Sequence, residues 1–328
     1  MHKKATTKNL VLFFAVVFVF FLSSIATEAV VTRAKYSVDL ANDFVVTPGK
    51  TEVFLNPGET VTKTISVTNR TNKKTFYKIS LEDFVGSDDP RMPVVLLDES
   101  EESPFSLKDM VEPEITSFEL AFGEKITFPV TITAPMDAPP GGHYGAVVIA
   151  NRPPDGSDPN NPTSAGGGTK LISRVASLLL VRINGDAKES GMLTDFTVGG
   201  PKKIIREKMP EAFNISFKNE GNVHLVPYGT ISITNIFGKK VAVLPVDAYF
   251  ALPQSTRFRE VTWVGGPFAL GRYTAELSLY RGYGNQTDTK KISYFVFPIK
   301  VIIPAVIGLF ILIGLIYFVR TRFEFRRK

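Results

Sequence analysis

Histidine is the residue type to examine first for chemistry, because the general base that activates a nucleophile at neutral pH is most often a histidine. The chain of 328 residues has three histidines and no cysteine. His2 lies in a basic leader, His143 follows a glycine pair in PPGGHYGAVV, and His224 lies in the polar stretch GNVHLVP. No Gly-x-Ser-x-Gly motif is present. We therefore expect His143 and His224 to be surface residues and the protein to have no catalytic site.

Metal binding has little support for the same reason, since a typical zinc site takes three or four Cys, His or acidic ligands. The remaining candidates are two acidic stretches, EDFVGSDDP and LLDESEES. Loop carboxylates suit calcium, but neither stretch has EF-hand spacing, so we interpret both as solvated loop charge and expect no metal site. A pair of these acids in a glycosidase is the enzymatic alternative. The residues concerned are Asp83, Asp88, Asp89, Asp98, Glu99, Glu101 and Glu102.

Two Gly-x-Tyr motifs indicate structural corners rather than active-site loops. Tyr144 lies in GGHYGAVVIA, after the alternating segment EKITFPVTITA, and Tyr273 lies in LGRYTAELSLY, after STRFREVTWVGG. In immunoglobulin-like sandwiches a tyrosine at the start of a late strand caps a corner through a hydroxyl–backbone hydrogen bond. We interpret Tyr144 and Tyr273 in this way. Trp263, the only tryptophan, lies in an alternating strand and is expected at a core or corner position rather than on a sugar-binding surface.

The elements that must position these residues are β-strands. Apolar residues alternate with threonine and proline over 126–133, and 61–69 alternates in the same way, as half-buried strands require. Pro129 predicts an edge or bulge position for its strand, because proline has no N–H. The order of signals at 58–81 recurs at 211–233. The prediction is an all-β fold with two tandem immunoglobulin-like β-sandwich domains, 40–186 and 187–297.

Both ends of the chain read as membrane-directed segments. Three lysines precede the 13 apolar residues Leu10–Leu22, and the small residues of SSIATEA follow, which predicts a signal peptide over 1–29. An uncleaved signal anchor is the alternative. Near the other end, Val301–Val319 is 19 residues without charge, and RTRFEFRRK follows. This pattern predicts a transmembrane helix over 299–319 and a basic cytoplasmic tail over 320–328.

The positive net charge of the chain comes from the leader and the tail. The net charge is +6, of which the leader lysines supply +3 and the tail +4, so the remainder carries −1. A nucleic-acid-binding domain needs clustered positive charge of its own. We therefore expect no nucleic-acid partner. The polar segment PPDGSDPNNPTSAGGG (153–168) is interpreted as a long flexible loop rather than a phosphate cradle, because no helix signal follows it.

The sequence also resembles a known family, the WxL-interacting proteins of Gram-positive bacteria. The stretches that carry the resemblance are LNPGETVTKTISVTNRTNK, ESPFSLKDMVEPEITSFELAFGEKITFPVTITAPMDAPPGGHYGAVVIA and ALPQSTRFREVTWVGGPFALGRYTAEL. The resemblance implies a peptidoglycan-binding domain followed by a second, host-binding β-sandwich domain and a C-terminal membrane helix.

These observations together predict a non-enzymatic protein of the bacterial envelope. We expect a single-pass plasma-membrane protein whose two sandwiches project outward and bind cell-wall polymer or another surface protein, with the lipid bilayer contacted through the C-terminal helix. No cofactor is expected. A structural stalk, or a component of a multi-protein surface assembly that binds no polymer, is the non-enzymatic alternative.

Overall fold

The computed structural model describes residues 30–89, 92–98, 101, 103–151, 172–200, 205–210, 212–263 and 270–322. The predicted signal peptide (1–29), the predicted flexible loop (153–168) and the end of the predicted tail (323–328) lie outside these residues.

The first sandwich consists of two sheets packed face to face. Its strands are β1 (Thr32–Lys35), β2 (Phe44–Thr47), β3 (Lys50–Leu55), β4 (Thr60–Asn69), β5 (Thr75–Gly86), β6 (Val94–Leu96), β7 (Val111–Pro113), β8 (Ser117–Leu120), β9 (Glu124–Thr133), β10 (Gly141–Asn151) and β11 (Arg174–Ile183). One sheet has the order β1-β9-β4-β2, with β7 also on β9, and the other has β3-β11-β10-β5-β6, with β8 also on β5. A short 3-10 helix (Lys108–Met110) precedes β7.

The second sandwich is built in the same way. Its strands are β12 (Gly191–Val198), β13 (Ile205–Arg206), β14 (Ala212–Asn219), β15 (Tyr228–Asn235), β16 (Lys240–Val246), β17 (Ser255–Thr262), β18 (Gly271–Tyr280) and β19 (Thr287–Val296). The sheet orders are β12-β14-β17 and β13-β19-β18-β15-β16. Inward-facing residues such as Phe213, Phe217 and Leu277 are fully buried between the sheets, and Trp263 packs beside Phe213 with ring centroids 6.4 Å apart.

Two buried asparagines show that the sequence repeat is a structural one. Asn69 ends β4 and Asn219 ends β14, and both side chains are fully buried. Each amide N–H₂ donates to the carbonyl four residues on and to a distant carbonyl, that of Leu120 in the first sandwich and of Ala251 in the second, at 2.8–2.9 Å. Each amide oxygen accepts from the backbone N–H two residues on. In both sandwiches the asparagine therefore joins the strand end to a neighbouring segment. The N–H₂ and the oxygen of each buried amide have hydrogen-bond partners.

Of the two positions predicted for Pro129, an edge strand or a bulge, the edge is wrong, because β9 is an interior strand. On one side β9 pairs with β4 throughout. On the other side β1 pairs with Glu124–Thr127 and β7 pairs with Val130–Ile132, so a gap between these two strands lies at Pro129. The carbonyl of Pro129 accepts from the Glu114 N–H at 3.0 Å, so its nitrogen also faces this side of the strand. Proline is tolerated because its missing N–H points to the gap between two partner strands.

The chain ends in helix α1 (Ile299–Arg322), which follows β19 after only two residues. Within the described part of the chain, α1 is the one helix long and apolar enough to cross a membrane. Its large apolar side chains are exposed, with Phe310 at 69% and Ile311 at 67%. The predicted fold class is confirmed: the described chain is all-β, with two immunoglobulin-like sandwiches, and ends in an apolar helix.

Candidate functional site: the junction between the two sandwiches

Three side chains from different segments meet where the two sandwiches touch. Glu52 lies on β3, Tyr144 near the start of β10, and His224 in the segment between β14 and β15. His224 Nε2 lies 2.7 Å from Glu52 Oε1, and His224 Nδ1 lies 3.3 Å from the Tyr144 hydroxyl. That hydroxyl also accepts the backbone N–H of His224 at 2.6 Å. The Glu52–His224–Tyr144 group therefore joins the first sandwich to the second.

The order carboxylate, imidazole, hydroxyl is that of a proton relay, but the burial of this group argues against catalysis. Tyr144 is 1% exposed, and burial raises the pKa of its hydroxyl well above the ordinary value. Burial also lowers the pKa of His224, an effect that the Glu52 carboxylate partly offsets. A neutral imidazole fits both contacts, because Nε2–H donates to Glu52 and Nδ1 accepts from Tyr144. A nucleophile needs access to substrate, and this hydroxyl has none.

The expectation that His143 and His224 are surface residues is wrong, because each is only 5% exposed. His143 Nδ1 lies 2.9 Å from the carbonyl oxygen of Ser106, and its Nε2 lies 3.3 Å from that of Pro139. Both histidines are thus engaged in backbone or junction contacts. Sequence reasoning missed them because their partners lie 37 and 172 residues away in the chain.

The two predicted corner tyrosines have different surroundings. Tyr144 bonds to the opposite sandwich and not to backbone of its own, and the glycine of its motif makes this possible: a Cβ at Gly142 would lie 1.9 Å from the Tyr144 hydroxyl oxygen. Tyr273, near the start of β18, is 8% exposed and its ring stacks on Tyr294 with centroids 6.0 Å apart. The Gly-x-Tyr spacing therefore serves an interdomain contact in one copy and core packing in the other.

Two acids of the stretch at 82–89 make hydrogen bonds to distant segments. Asp83 is 2% exposed, and its carboxylate accepts the Ser106 hydroxyl at 2.5 Å and the backbone N–H groups of Leu107 and Lys108 at 2.9 Å. Asp88 accepts the Thr256 N–H of the second sandwich at 2.7 Å. The interpretation as solvated loop charge is therefore wrong for Asp83, whereas Asp88 is exposed and one of its oxygens accepts a donor from the second sandwich.

The other acids of the predicted clusters have simpler settings. Asp89 lies in the turn that follows β5, where its backbone carbonyl accepts the Met92 N–H at 3.1 Å. Asp98 and Glu101 form a small turn in which the Asp98 N–H donates to the Glu101 carboxylate at 3.1 Å. Glu99 and Glu102 lie outside the described residues. Among the described residues, no three His, Cys, Asp or Glu side chains are grouped as metal ligands.

Further contacts fix the two sandwiches against each other. The Gly142 N–H donates to the Asn222 carbonyl at 2.8 Å, and the Asn222 side chain returns a bond to the Pro140 carbonyl at 3.2 Å. An apolar cluster spans the junction, in which Leu252 of the second sandwich packs with Phe84 and Leu180 of the first. With the Asp88 bond, the junction combines apolar burial with satisfied polar groups, so the two sandwiches are in direct contact.

Positive charge lies at the rim of this junction. Lys50, from the edge strand β3, places its Nζ 5.3 Å from the centre of the Phe250 ring. Arg257, from β17 of the second sandwich, places its Cζ 5.7 Å from the same ring. Both distances are typical of cation–π contacts. Phe250 thus holds one cation from each sandwich.

Arg257, Arg259 and Tyr249 form a group of partly or fully buried polar side chains, which we term the arginine rim. In β17, Arg257 and Arg259 pair with Phe217 and Ile215, so they occupy positions whose cross-strand partners face the core. Their Nε atoms and the Tyr249 hydroxyl are buried and have no hydrogen-bond partner among the described residues. Burial lowers the pKa of Arg257, Tyr249 partly offsets this effect, and the neighbouring charge of Arg259 adds to it. The Arg257 and Arg259 side chains are partly exposed, and Asp247 lies 3.9 Å from Arg259, so an anion at this rim would find accessible guanidinium N–H groups.

Comparisons with known proteins describe the architecture only. No family model and no curated protein matches the chain. The class 5 fimbriae chaperone CfaA is similar over 78% of this chain and 100% of its own, with 13% identity and a TM-score of 0.37. The Pseudomonas aeruginosa chaperone CupB2 is similar over 77% of this chain and 100% of its own, with 10% identity and a TM-score of 0.32. The structure of the Salmonella enterica SafA pilin in complex with the SafB chaperone is similar over 80% of this chain and 100% of its own, with 14% identity and a TM-score of 0.30.

The resemblance to the WxL-interacting proteins is wrong. No family model matches the chain, and the similar solved structures reported above include none of this family. The stretches that suggested the resemblance are proline–glycine turns, alternating strands and Gly-x-Tyr motifs. These features meet the general needs of a sandwich fold and are shared by unrelated surface proteins.

Proposed function

We propose that the protein is a non-enzymatic, membrane-anchored binding protein whose two fixed sandwiches hold an acidic segment of another protein outside the cytoplasm. Helix α1 is the anchor in this proposal, because exposed apolar side chains along 24 residues need a lipid environment. Arg320 and Arg322 in its last turn support a cytoplasmic location for that end. The two sandwiches are then extracytoplasmic.

The absence of catalysis is proposed because the groups suited to chemistry have structural contacts. The carboxylate of Asp83 holds the segment at 106–108, Asp88 holds β17, and His224 lies buried between Glu52 and Tyr144. A general base must reach a proton on a bound substrate. Each of these groups instead contacts another part of the chain.

The arginine rim is the observation that carries the choice of partner. The side chains of its two arginines are partly exposed, and carboxylates are well matched to arginine. The rim lies on β17, which pairs only with β14 in the described structure. Beyond Thr256, whose N–H donates to Asp88, the other edge of β17 has backbone groups that a peptide strand can pair with, whereas a glycan has no matching backbone. We therefore favour an acidic peptide segment over a cell-wall polymer.

Binding of a peptide with alternating glutamate and valine tests this proposal. The full chain in lipid nanodiscs is titrated with the labelled peptide and, separately, incubated with purified wall sacculi. The double variant Arg257→Glu/Arg259→Glu is expected to weaken peptide binding by about tenfold or more, because charged hydrogen bonds are lost and repulsion replaces them.

The matched control is Arg33→Glu/Lys35→Glu, which reverses two charges at the same spacing on the exposed edge strand β1. It is expected to leave peptide binding unchanged. Equal binding by both double variants would contradict the proposal. Retention on sacculi that depends on Arg257 and Arg259, without peptide binding, would assign the rim to wall polymer instead.

A further inference from the structure

The turn between β15 and β16 presents two apolar side chains to solvent. Phe237 is 90% exposed and Ile236 is 65% exposed. Single exposed apolar residues are ordinary, but two large ones at the tip of one turn are not explained by the fold. The turn at the opposite end of the same sheet, residues 281–286, exposes no large apolar side chain.

The strand register places this turn at the end of the sandwich from which α1 leaves. Asn235 pairs with Tyr273, and Tyr273 pairs with Tyr294. From Tyr294, β19 continues for two residues to its end at Val296, which is about 7 Å along the sheet. From Asn235, the chain also continues for two residues to Phe237, which is again about 7 Å. The tip of the turn is therefore about level with Val296, three residues before α1 begins at Ile299.

The same end of the sandwich carries more apolar and basic residues. Leu270, next to Gly271 that pairs with Val296, is 63% exposed, and Phe297 is 44% exposed. Lys239 and Lys240 follow the tip and are exposed. Aromatic side chains with flanking lysines are characteristic of the region between the lipid tails and the water.

The turn is also built for a poorly hydrated environment. The Asn235 side-chain oxygen accepts the N–H groups of Phe237 at 3.1 Å and Lys239 at 2.9 Å. The Gly238 N–H donates to the Asn235 carbonyl at 3.0 Å, and the Asn235 N–H donates to the Lys239 carbonyl at 3.0 Å. Backbone donors that are already satisfied can approach lipid without the cost of losing water.

We infer that Ile236 and Phe237 insert into the outer surface of the bilayer that holds α1, so that the second sandwich has two membrane contacts. This inference rests on the proposed membrane anchor. The short connection supports it: only Phe297 and Pro298 separate β19 from α1, and the Phe297 N–H continues the sheet by donating to the Arg206 carbonyl at 2.7 Å. A second contact two strands away, about 10 Å, would fix the tilt of the sandwiches relative to the membrane.

Site-directed spin labelling of the full chain tests the inference, and the lack of any cysteine makes single labels straightforward. The variants are Phe237→Cys at the tip, Asn285→Cys in the opposite turn and Gly308→Cys in α1. Each is reconstituted in phosphatidylcholine vesicles containing phosphatidylglycerol. Collision with oxygen, which concentrates in lipid, is compared with collision with a water-soluble nickel chelate.

The expected result is an oxygen-to-nickel ratio at 237 several-fold above that at 285, with 308 higher still. A ratio at 237 equal to that at 285, with 308 in lipid, would overturn the inference and leave the anchor intact. Low collision with both reagents at 237 would assign the tip to a protein contact and also overturn it. Nickel access at 308 would overturn the anchor and the inference with it.

Discussion

Replacing Tyr144 with phenylalanine removes one oxygen atom from the junction between the two sandwiches. That oxygen accepts the backbone N–H of His224 at 2.6 Å and lies 3.3 Å from its Nδ1. The phenylalanine ring fills the same space, so the change leaves no cavity. What remains is a buried N–H without an acceptor in the second sandwich.

The magnitude follows from that unsatisfied donor. A buried polar group that loses its partner destabilises the folded state by about 1–3 kcal/mol. The longer contact to Nδ1 adds less, so we expect Tyr144→Phe to lower the free energy of unfolding by about 2 kcal/mol. The loss should affect the second sandwich as well as the first, because the bond crosses the junction.

Urea unfolding of the full chain, followed by tryptophan fluorescence, measures this effect. The only tryptophan, Trp263, packs beside Phe213 in the second sandwich, so its signal reports that sandwich although Tyr144 belongs to the first. A lower urea midpoint for Trp263 in Tyr144→Phe is the expected result.

Tyr294→Phe is the matched control. Tyr294 is 1% exposed and its hydroxyl has no hydrogen-bond partner among the described residues. Removing that hydroxyl should be neutral or slightly stabilising, because a buried unpaired group is lost. A Tyr144→Phe variant that unfolds like the wild type, or like Tyr294→Phe, would refute the reasoning about the junction.

Three further predictions concern other polar groups. Asp83→Ala should cost about 3 kcal/mol in thermal denaturation, since the carboxylate accepts three hydrogen bonds; a loss below about 1 kcal/mol would contradict its structural role. Asn69→Ala and Asn219→Ala should each cost about 2 kcal/mol in denaturant unfolding, and a large effect of only one would contradict their equivalence. The lowered pKa of His224 means that the unfolded chain binds the proton more readily, so stability is complete above pH 6.5 and falls as the pH drops through the folded pKa. His224→Gln should remove this part of the pH dependence, and an unchanged pH profile of the urea midpoint would contradict it.

The alternation of apolar and polar residues was sufficient to predict the strands, because period two is a local property of the chain. It also predicted the repeat, whose Asn69 and Asn219 proved to be equivalent buried ties. Helix α1 was predictable from 19 uncharged residues in a row. The strands, the repeat and α1 could be predicted because each is set by residues close together in the sequence.

The site was not predictable in the same way, because its contacts join distant segments. The donors that hold Asp83 lie 23–25 residues away, and Tyr144 meets His224 across 80 residues. A histidine or an acid in a polar stretch reads as exposed unless the position of the other sandwich is known. The arginine rim was missed because Arg257 and Arg259 alternate like ordinary outward-facing strand residues, whereas their cross-strand partners are core residues.

Hydrogen exchange of β17 in the full chain tests the central claim most directly. Residues 255–262 are compared with and without the glutamate–valine peptide, in nanodiscs and at saturating peptide. Slower exchange in this segment, lost in Arg257→Glu/Arg259→Glu, is the predicted result, because a peptide paired to the free edge would protect the backbone beside the arginine rim. Unchanged exchange at 255–262, or protection confined to another strand, would contradict the account.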